Sequence, residues 1–330
     1  MKTLTISIAA YNVEEYIEEA LNSLLDPEII DDLEVIVVND GSKDYTSKIA
    51  HKYSSKYPDS IKVIDKENGG YGSTINTSLP LASGKYFRLL DGDDWYNRDV
   101  LKEYINCLKS SESDLIITPV VTVVNETGEK KVINPLSNLS HGTKLSFSNY
   151  PEEKLLSMPM TCFKTMAIKG KNNRIREHCF YTDTEFILKN MSYCKTIEYY
   201  NLPVYLYRIG LDEQSMSLQG MRKHYKDAIT YYTEMIRFRK EENINRDYYN
   251  HYLTEALASL GKYHLNMFFI LPANKKKEYV EFEQFLNSEA PDIHERSITK
   301  KNRLLCKTNY LLYRPACWWG KWKVRKSIRV

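Results

Sequence analysis

Along residues 1–115 short apolar runs alternate with segments of helical period, so strands and helices are expected in turn. Residues 4–8 read as a strand. Val13, Tyr16, Ile17, Ala20, Leu21, Leu24 and Leu25 then share one helical face, behind an Asn12/Glu15 pair with capping-box spacing. Residues 34–38 form an unbroken apolar run, the kind of strand buried on both faces of a parallel sheet. Asn39-Asp40-Gly41-Ser42 then turns the chain into a helix expected from Asp44, with Ile49 and Tyr53 inward. A third strand at 61–64 leads into Asn68-Gly69-Gly70-Tyr71-Gly72 and a third helix, and 86–90 is a fourth strand. The order predicts an α/β fold, a doubly wound and mostly parallel sheet.

Beyond it, residues 114–124 read as one or two strands interrupted by Pro119, and 125–160 are loop-rich, with turns at Glu126-Thr127-Gly128 and Asn134-Pro135. From about Met221 helical patterns dominate: Tyr225, Ile229, Tyr232 and Ile236 share one face, and Leu253, Ala256, Leu257 and Leu260 another. Three regions are expected, 1–115, 116–220 and a helical 221–330.

Ligands of open α/β sheets bind beyond the carboxyl ends of the strands. Here those ends carry Ala9-Ala10-Tyr11-Asn12, then Asp40, then Asp91-Gly92-Asp93-Asp94-Trp95. Three aspartates within four positions repel one another unless a cation or hydrogen-bond donors hold them. Mg²⁺ or Mn²⁺ suits such oxygens, with substrate phosphates completing the shell; a solvated acidic turn is the alternative. The glycines after the third strand offer either a helix N-terminus to a phosphate or a plain tight turn. Their spacing is not that of a dinucleotide-binding fingerprint.

Together Ala10-Tyr11-Asn12, Val38-Asn39-Asp40-Gly41-Ser42, Asn68-Gly69-Gly70 and Asp91-Gly92-Asp93-Asp94 resemble the family 2 glycosyltransferases of bacterial cell-surface polysaccharide and teichoic-acid type, which share the GT-A fold. The resemblance implies an inverting enzyme that moves a sugar from a UDP-sugar to a hydroxyl of a surface glycan or lipid-linked acceptor, assisted by Mn²⁺ or Mg²⁺. It places Ala10, Tyr11, Asn12 and Glu14 around the base and ribose, and makes Asp40 a hydrogen-bond acceptor for uracil. Asn68, Gly69 and Gly92 fall in the donor site, Asp91 faces the ribose, and Asp93 ligates the metal. Many relatives have Ala-Arg-Asn where this chain has Thr74-Ile75-Asn76, so another cation must share the diphosphate charge.

Inversion by direct displacement needs one general base. Phe180-Tyr181-Thr182-Asp183-Thr184-Glu185-Phe186 resembles the family's Glu-Asp-x-x-Phe pattern, which assigns the base to Asp183, with Thr182 in place of the usual Glu. Thr182 and Glu185 also have capping-box spacing, so an ordinary helix start competes with that role. Trp95 is either a wall for the acceptor sugar or a core residue, and His178 either an acceptor or metal contact or structural. Tyr207-Arg208-Ile209-Gly210, followed by Gln214-Ser215-Met216-Ser217, resembles a stretch that would form a lid over the donor, with Arg208 as the missing cation; a surface loop is the alternative.

Composition adds one asymmetry. The net charge is +3, yet residues 296–330 hold 11 Lys and Arg and no acid, leaving 35 basic against 43 acidic residues elsewhere. Three of the four tryptophans, Trp318, Trp319 and Trp322, lie in this stretch. Clustered Trp and basic residues suit an anionic membrane surface. A helix packing its tryptophans on the body is the alternative, and no nucleic-acid motif accompanies the charge. The six cysteines lack a paired framework and read as free thiols. With no signal peptide or spanning segment in the sequence, the expected place is the cytoplasm, peripheral at the inner face of the cell membrane. A nucleotidyltransferase would need a basic, glycine-rich loop after the first strand, and a non-catalytic scaffold would not turn over UDP-sugars.

Overall fold

The apolar runs of the N-terminal half become the parallel centre of one sheet. In the computed structural model, which describes residues 2–150, 155–211, 218–241 and 247–327, they form β1 (Leu4–Ala10), α1 (Ile17–Asn22), β2 (Leu33–Asn39), α2 (Thr46–Lys56), β3 (Ile61–Asp65), α3 (Tyr71–Ser78) and β4 (Tyr86–Asp91). β1 pairs in parallel with β2 and β4, and β2 with β3. Every residue of β2 is buried, as a strand covered on both faces requires.

The chain continues through β5 (Trp95–Tyr96), α4 (Arg98–Ser110), β6 (Leu115–Ile117), β7 (Val120–Val124), β8 (Lys130–Ile133), β9 (Thr143–Ser146), β10 (Thr161–Lys164), α5 (Thr165–Ile168), α6 (Thr182–Met191), β11 (Thr196–Tyr199) and β12 (Tyr205–Ile209). The large sheet has eight strands in the order β3-β2-β1-β4-β10-β6-β11-β9, so it draws on both sides of residue 115. A smaller sheet runs β5-β12-β7-β8. Pro119 sits where the chain leaves the large sheet after β6 and enters the small one at β7. Lacking an N–H, proline suits a break between ladders.

Three local expectations of helix starts differ from the structure. Asn12 caps no helix: α1 starts at Ile17 behind Tyr16, without a side-chain cap. Asn12 has φ 51° and accepts the Lys43 N–H at 2.8 Å. α2 begins at Thr46, two residues later than expected, because Asp44 instead accepts the N–H groups of Thr46 and Glu14. Thr182 is the first residue of α6 and not its cap, and Glu185 receives the Arg176 N–H and Lys189.

The chain divides into two compact units, Met1–Gln214 and Ser215–Val330. In the second, α7 (Leu218–Lys223), α8 (Tyr225–Glu241), α9 (Asp247–Met267), α10 (Lys276–Glu289), α11 (Pro291–Ser297), α12 (Lys300–Lys307) and α13 (Tyr313–Ser327) follow one another. Tyr225, Tyr232 and Ile236 face inward as their spacing predicts, as do Leu253, Ala256 and Leu257, while Ile229 and Leu260 are half-buried. Burial drives the His264 pKa down to about 3, so this core histidine stays neutral beside Tyr231. No helix among the described residues is long and apolar enough to cross a membrane. All six cysteines are free.

Two glycines allow the close approaches that build the site. A Cβ on Gly92 would come 2.9 Å from the Ala9 carbonyl, which accepts the Gly92 N–H. A Cβ on Gly72 would overlap the Arg176 carbonyl where the 175–178 segment crosses α3. Gly72→Ala should therefore force that crossing apart and destabilise the first unit by about 1–3 kcal/mol, the usual range for overpacking. Urea denaturation followed by near-ultraviolet dichroism checks this; a variant as stable as the parent would refute the close crossing.

Candidate active site

Four loops meet at the carboxyl ends of β1 to β4. The β1–α1 and β2–α2 loops are laced together: Asn12 N–H donates to Ser42 Oγ (3.0 Å), Val13 N–H to Thr46 Oγ1 (2.8 Å), and Tyr45 N–H to Glu14 Oε2 (2.7 Å). Asn12 and Glu14 thus commit acceptors to the neighbouring loop. Ala10 is buried, whereas the Tyr11 ring is half exposed.

Asp40 is held by the loop that follows β3. Its buried carboxylate accepts Lys66 Nζ (2.8 Å), the Gly69 N–H (2.9 Å), the Gly70 N–H (2.8 Å) and Ser73 Oγ (3.1 Å), while Asn68 Nδ2 binds its carbonyl oxygen (2.9 Å). Three of these donors converge on Oδ1 and the Gly70 N–H alone on Oδ2, so the carboxylate anchors the glycine loop. The glycine loop points these two amides at Asp40 instead of into an open anion site. It is an anchored turn.

Lys66 escaped the sequence reading, although it precedes Asn68 by only two residues. Ile75, at the place of the relatives' arginine, is buried in the core; a charge there would be costly without a partner. Lys66 is the cation beside the glycine loop, between Asp40 and Ser73.

At the end of β4 the carboxylate oxygens of Asp91, Asp93 and Asp94 lie within 4.8 Å of one another, the metal-competent cluster among the described residues. Asp94 is already braced: Oδ2 accepts the Tyr205 hydroxyl (2.7 Å) and Oδ1 the Arg208 N–H (2.7 Å). Burial, then repulsion by Asp91 and Asp93, pushes its pKa up. Burial, then repulsion by Asp93, raises Asp91 likewise, and its Oδ1 is buried without a hydrogen-bond partner. An orphaned carboxylate oxygen in a crowded anionic cluster fits a hard divalent cation. Asp91 and Asp93 are the residues that would hold it.

Arg208 is a residue of β12. Its Nε donates to the Asp93 carbonyl (2.8 Å), its Nη1 to Asn125 Oδ1 (2.9 Å) and its Nη2 to Glu19 (2.5 Å). The guanidinium lies 4.5 Å from the Trp95 ring centre and 4.8 Å from that of Tyr16. Residues 214–217 of the expected lid lie outside the described residues. Trp95, half-buried, packs against Val121, Val123 and Leu206. The His178 side chain is exposed and outside the acidic cluster, and its N–H donates to the Gly69 carbonyl at 2.5 Å.

Asp183 lies in the first turn of α6. Burial raises its pKa, while N–H groups at the helix start favour the anion. It is close enough to raise the pKa of Asp91, and both act on the buried Tyr71 hydroxyl, another residue the sequence reading missed. Asn76 fixes the strap leading to Asp183, bonding both Ile175 N–H (2.9 Å) and Ile175 carbonyl (2.8 Å). His178 and Tyr181 in that strap take left-handed backbone, at about 1–2 kcal/mol each.

With this geometry in hand, the comparisons with known proteins agree on a class. Residues 5–173 match the model of glycosyl transferase family 2, and the chain belongs to that family and is a glycosyltransferase. It is 28% identical over 262 residues to the putative glycosyltransferase EpsH of Bacillus subtilis, covering 75% of this chain and 73% of EpsH. It is 31% identical over 178 residues to the minor teichoic acid biosynthesis protein GgaB of the same organism, covering 53% of this chain but 19% of GgaB. Among solved structures, S. aureus TarS 1-349 in complex with UDP-GlcNAc superimposes with a TM-score of 0.69 at 21% identity, over 100% of this chain and 92% of that one. The shared fold is GT-A.

If Asp93 ligates a cation, Asp93→Asn should separate two effects. Relief of repulsion should raise the metal-free melting midpoint, by about 2–4 °C per kcal/mol gained. Stabilisation by added Mn²⁺ and UDP should disappear. Differential scanning fluorimetry reads both, and an equal Mn²⁺ shift in parent and variant would move the cation elsewhere.

Proposed function

We propose that the chain transfers a sugar from a UDP-sugar, with inversion, to a hydroxyl of a cell-surface glycan or lipid-linked acceptor, in the cytoplasm at the inner face of the membrane. One observation carries the reading: α6 brings Asp183 to the same edge of the sheet as the Asp91–Asp93–Asp94 cluster. A single base beside a cation-competent site is what direct displacement requires. The UDP-GlcNAc complex of TarS supports the donor class, and the printed role of GgaB in minor teichoic acid biosynthesis supports the acceptor class.

In this mechanism the half-exposed Tyr11 ring offers a stacking face to the base, and Asp91 faces the ribose. Asp93, with Asp91, would hold Mn²⁺ or Mg²⁺, which when bound neutralises charge on the departing diphosphate. Lys66 and Arg208 sit behind the loops as fixed cations, each paired with an acid, Asp40 and Glu19. Asp183 takes the acceptor's hydroxyl proton as the oxygen attacks the anomeric carbon, and the bond to the β-phosphate oxygen breaks to release UDP. Attack opposite the leaving group inverts the anomeric centre.

Asp183→Asn keeps the side-chain size but cannot take up the proton, so transfer should fall by about 10²–10⁴-fold with UDP affinity unchanged. The pH profile carries a sign. Burial raises the Asp183 pKa, so the carboxylate is lost on acidification earlier than in a free aspartate. Transfer should decline as pH falls through that raised value, with its acid limb above that of a free aspartate. Release of UDP from UDP-GlcNAc and other UDP-hexoses, assayed with Mn²⁺ across pH, tests the proposal. Near-parental turnover in Asp183→Asn would remove the base assignment, and failure to bind any UDP-sugar would remove the donor assignment.

A further inference from the structure

The basic, tryptophan-bearing segment is not a loose tail. In α12, Asn302 and Leu305 are buried, and Asn302 Nδ2 donates to the Tyr279 hydroxyl at 3.0 Å. In α13, Tyr313 and Cys317 are buried, and Gly320 lies so close to Phe269 that a Cβ would come 2.7 Å from its carbonyl oxygen. Positions 313, 317 and 320 form one helical stripe, and the fold has used it. The tryptophans are turned outward as a consequence. Trp318 is 71% exposed, Trp319 42% and Trp322 43%. Leu311, 78% exposed, lies in the connection just before α13, with Leu304 and Leu312 exposed beside it.

The charge on this surface is mostly positive. Lys300, Arg303, Lys307 and Arg314 are exposed, and residues 296–330 contain no acid. Arg314 also lines a groove with Lys276 and Lys277, where Glu281 is the one acid facing the three cations. An apolar patch of this kind marks an interaction site in a soluble domain. Its composition selects among partners: indole rings favour the interface between headgroups and acyl chains, and exposed Lys and Arg favour an anionic surface.

We propose that α12, the connection to α13 and the outer face of α13 form a docking surface for anionic lipid. Leu311, Trp318 and Trp322 enter the headgroup region while Lys300, Arg303, Lys307 and Arg314 meet the phosphates. This deepens the proposed membrane location and rests on it, but the surface can bind lipid whether or not the sugar-transfer reading holds. Because Leu305, Tyr313 and Cys317 belong to the core of the second unit, surface substitutions and not truncation are the informative variants.

The test is co-sedimentation of the full chain with vesicles of phosphatidylcholine alone or mixed equally with phosphatidylglycerol, with UDP-sugar hydrolysis measured on the same samples. The parent should bind the mixed vesicles, bind phosphatidylcholine little, and dissociate as salt rises, since the attraction is screened within ~8 Å at physiological ionic strength. Arg303→Glu with Arg314→Glu should weaken binding at least about tenfold. Leu311→Ala with Trp318→Ala should also weaken binding, and hydrolysis should be unchanged in both. All four side chains are exposed, so thermal midpoints should match the parent. Parent protein left in the supernatant with mixed vesicles, undiminished binding by either pair, or binding to single-stranded DNA in place of vesicles would overturn the proposal. Lipid binding without UDP-sugar turnover would uphold this surface and sink the transferase reading instead.

Discussion

The site depends on how the protein tolerates three carboxylates crowded at the end of β4. Left to themselves they repel, and the turn that carries them would open. The small sheet supplies the restraint. β12 pairs with β5 directly after the acidic turn and delivers the Tyr205 hydroxyl and the Arg208 N–H to Asp94. The Arg208 side chain then reaches back to the Asp93 carbonyl and across to Glu19. Behind them lies a second cation, Arg88, wholly buried in β4, bonded to Tyr104 and Thr118 and facing the Tyr205 ring. One acid of the cluster, Asp94, is thereby fixed in place.

The same economy governs the loops after β2 and β3. Asp40 holds the glycine turn through the Gly69 and Gly70 N–H groups. The 175–178 strap is then clipped over that turn by three contacts of different kinds: Asn76 on Ile175, the Gly69 carbonyl on His178, and the bare Cα of Gly72 under Arg176. Because the strap runs straight into α6, the position of Asp183 is set by the glycine loop and α3. Preorganisation of this sort removes reorganisation from the reaction itself. The left-handed residues His178 and Tyr181 show where backbone energy was spent on it.

What the sequence determined by itself is the part governed by local periodicity and by groups that act where they stand. The unbroken apolar run of β2, the alternation of strands and helices and the acidic cluster after β4 all follow from neighbours in sequence, as do the inward faces of α8 and α9. Only the tertiary structure decided which polar groups would be spent on one another. Asn12 and Thr182 each had a capping role available, and Asn12 lost it to a partner 31 residues away while Thr182 lost it by its place inside α6; Asp40 and Arg208 took partners 26 and 114 residues away. Lys66, Tyr71, Asn76 and Tyr205 carry no pattern of their own, so their part became legible only once loops separated by up to 114 residues were packed together. The tryptophans of α13 make the same point from the other side. Sequence could place them on a helix, but which face turned outward depended on Tyr313, Cys317 and Gly320 finding the core first, because a helix has one side to bury and the closest-fitting side takes it.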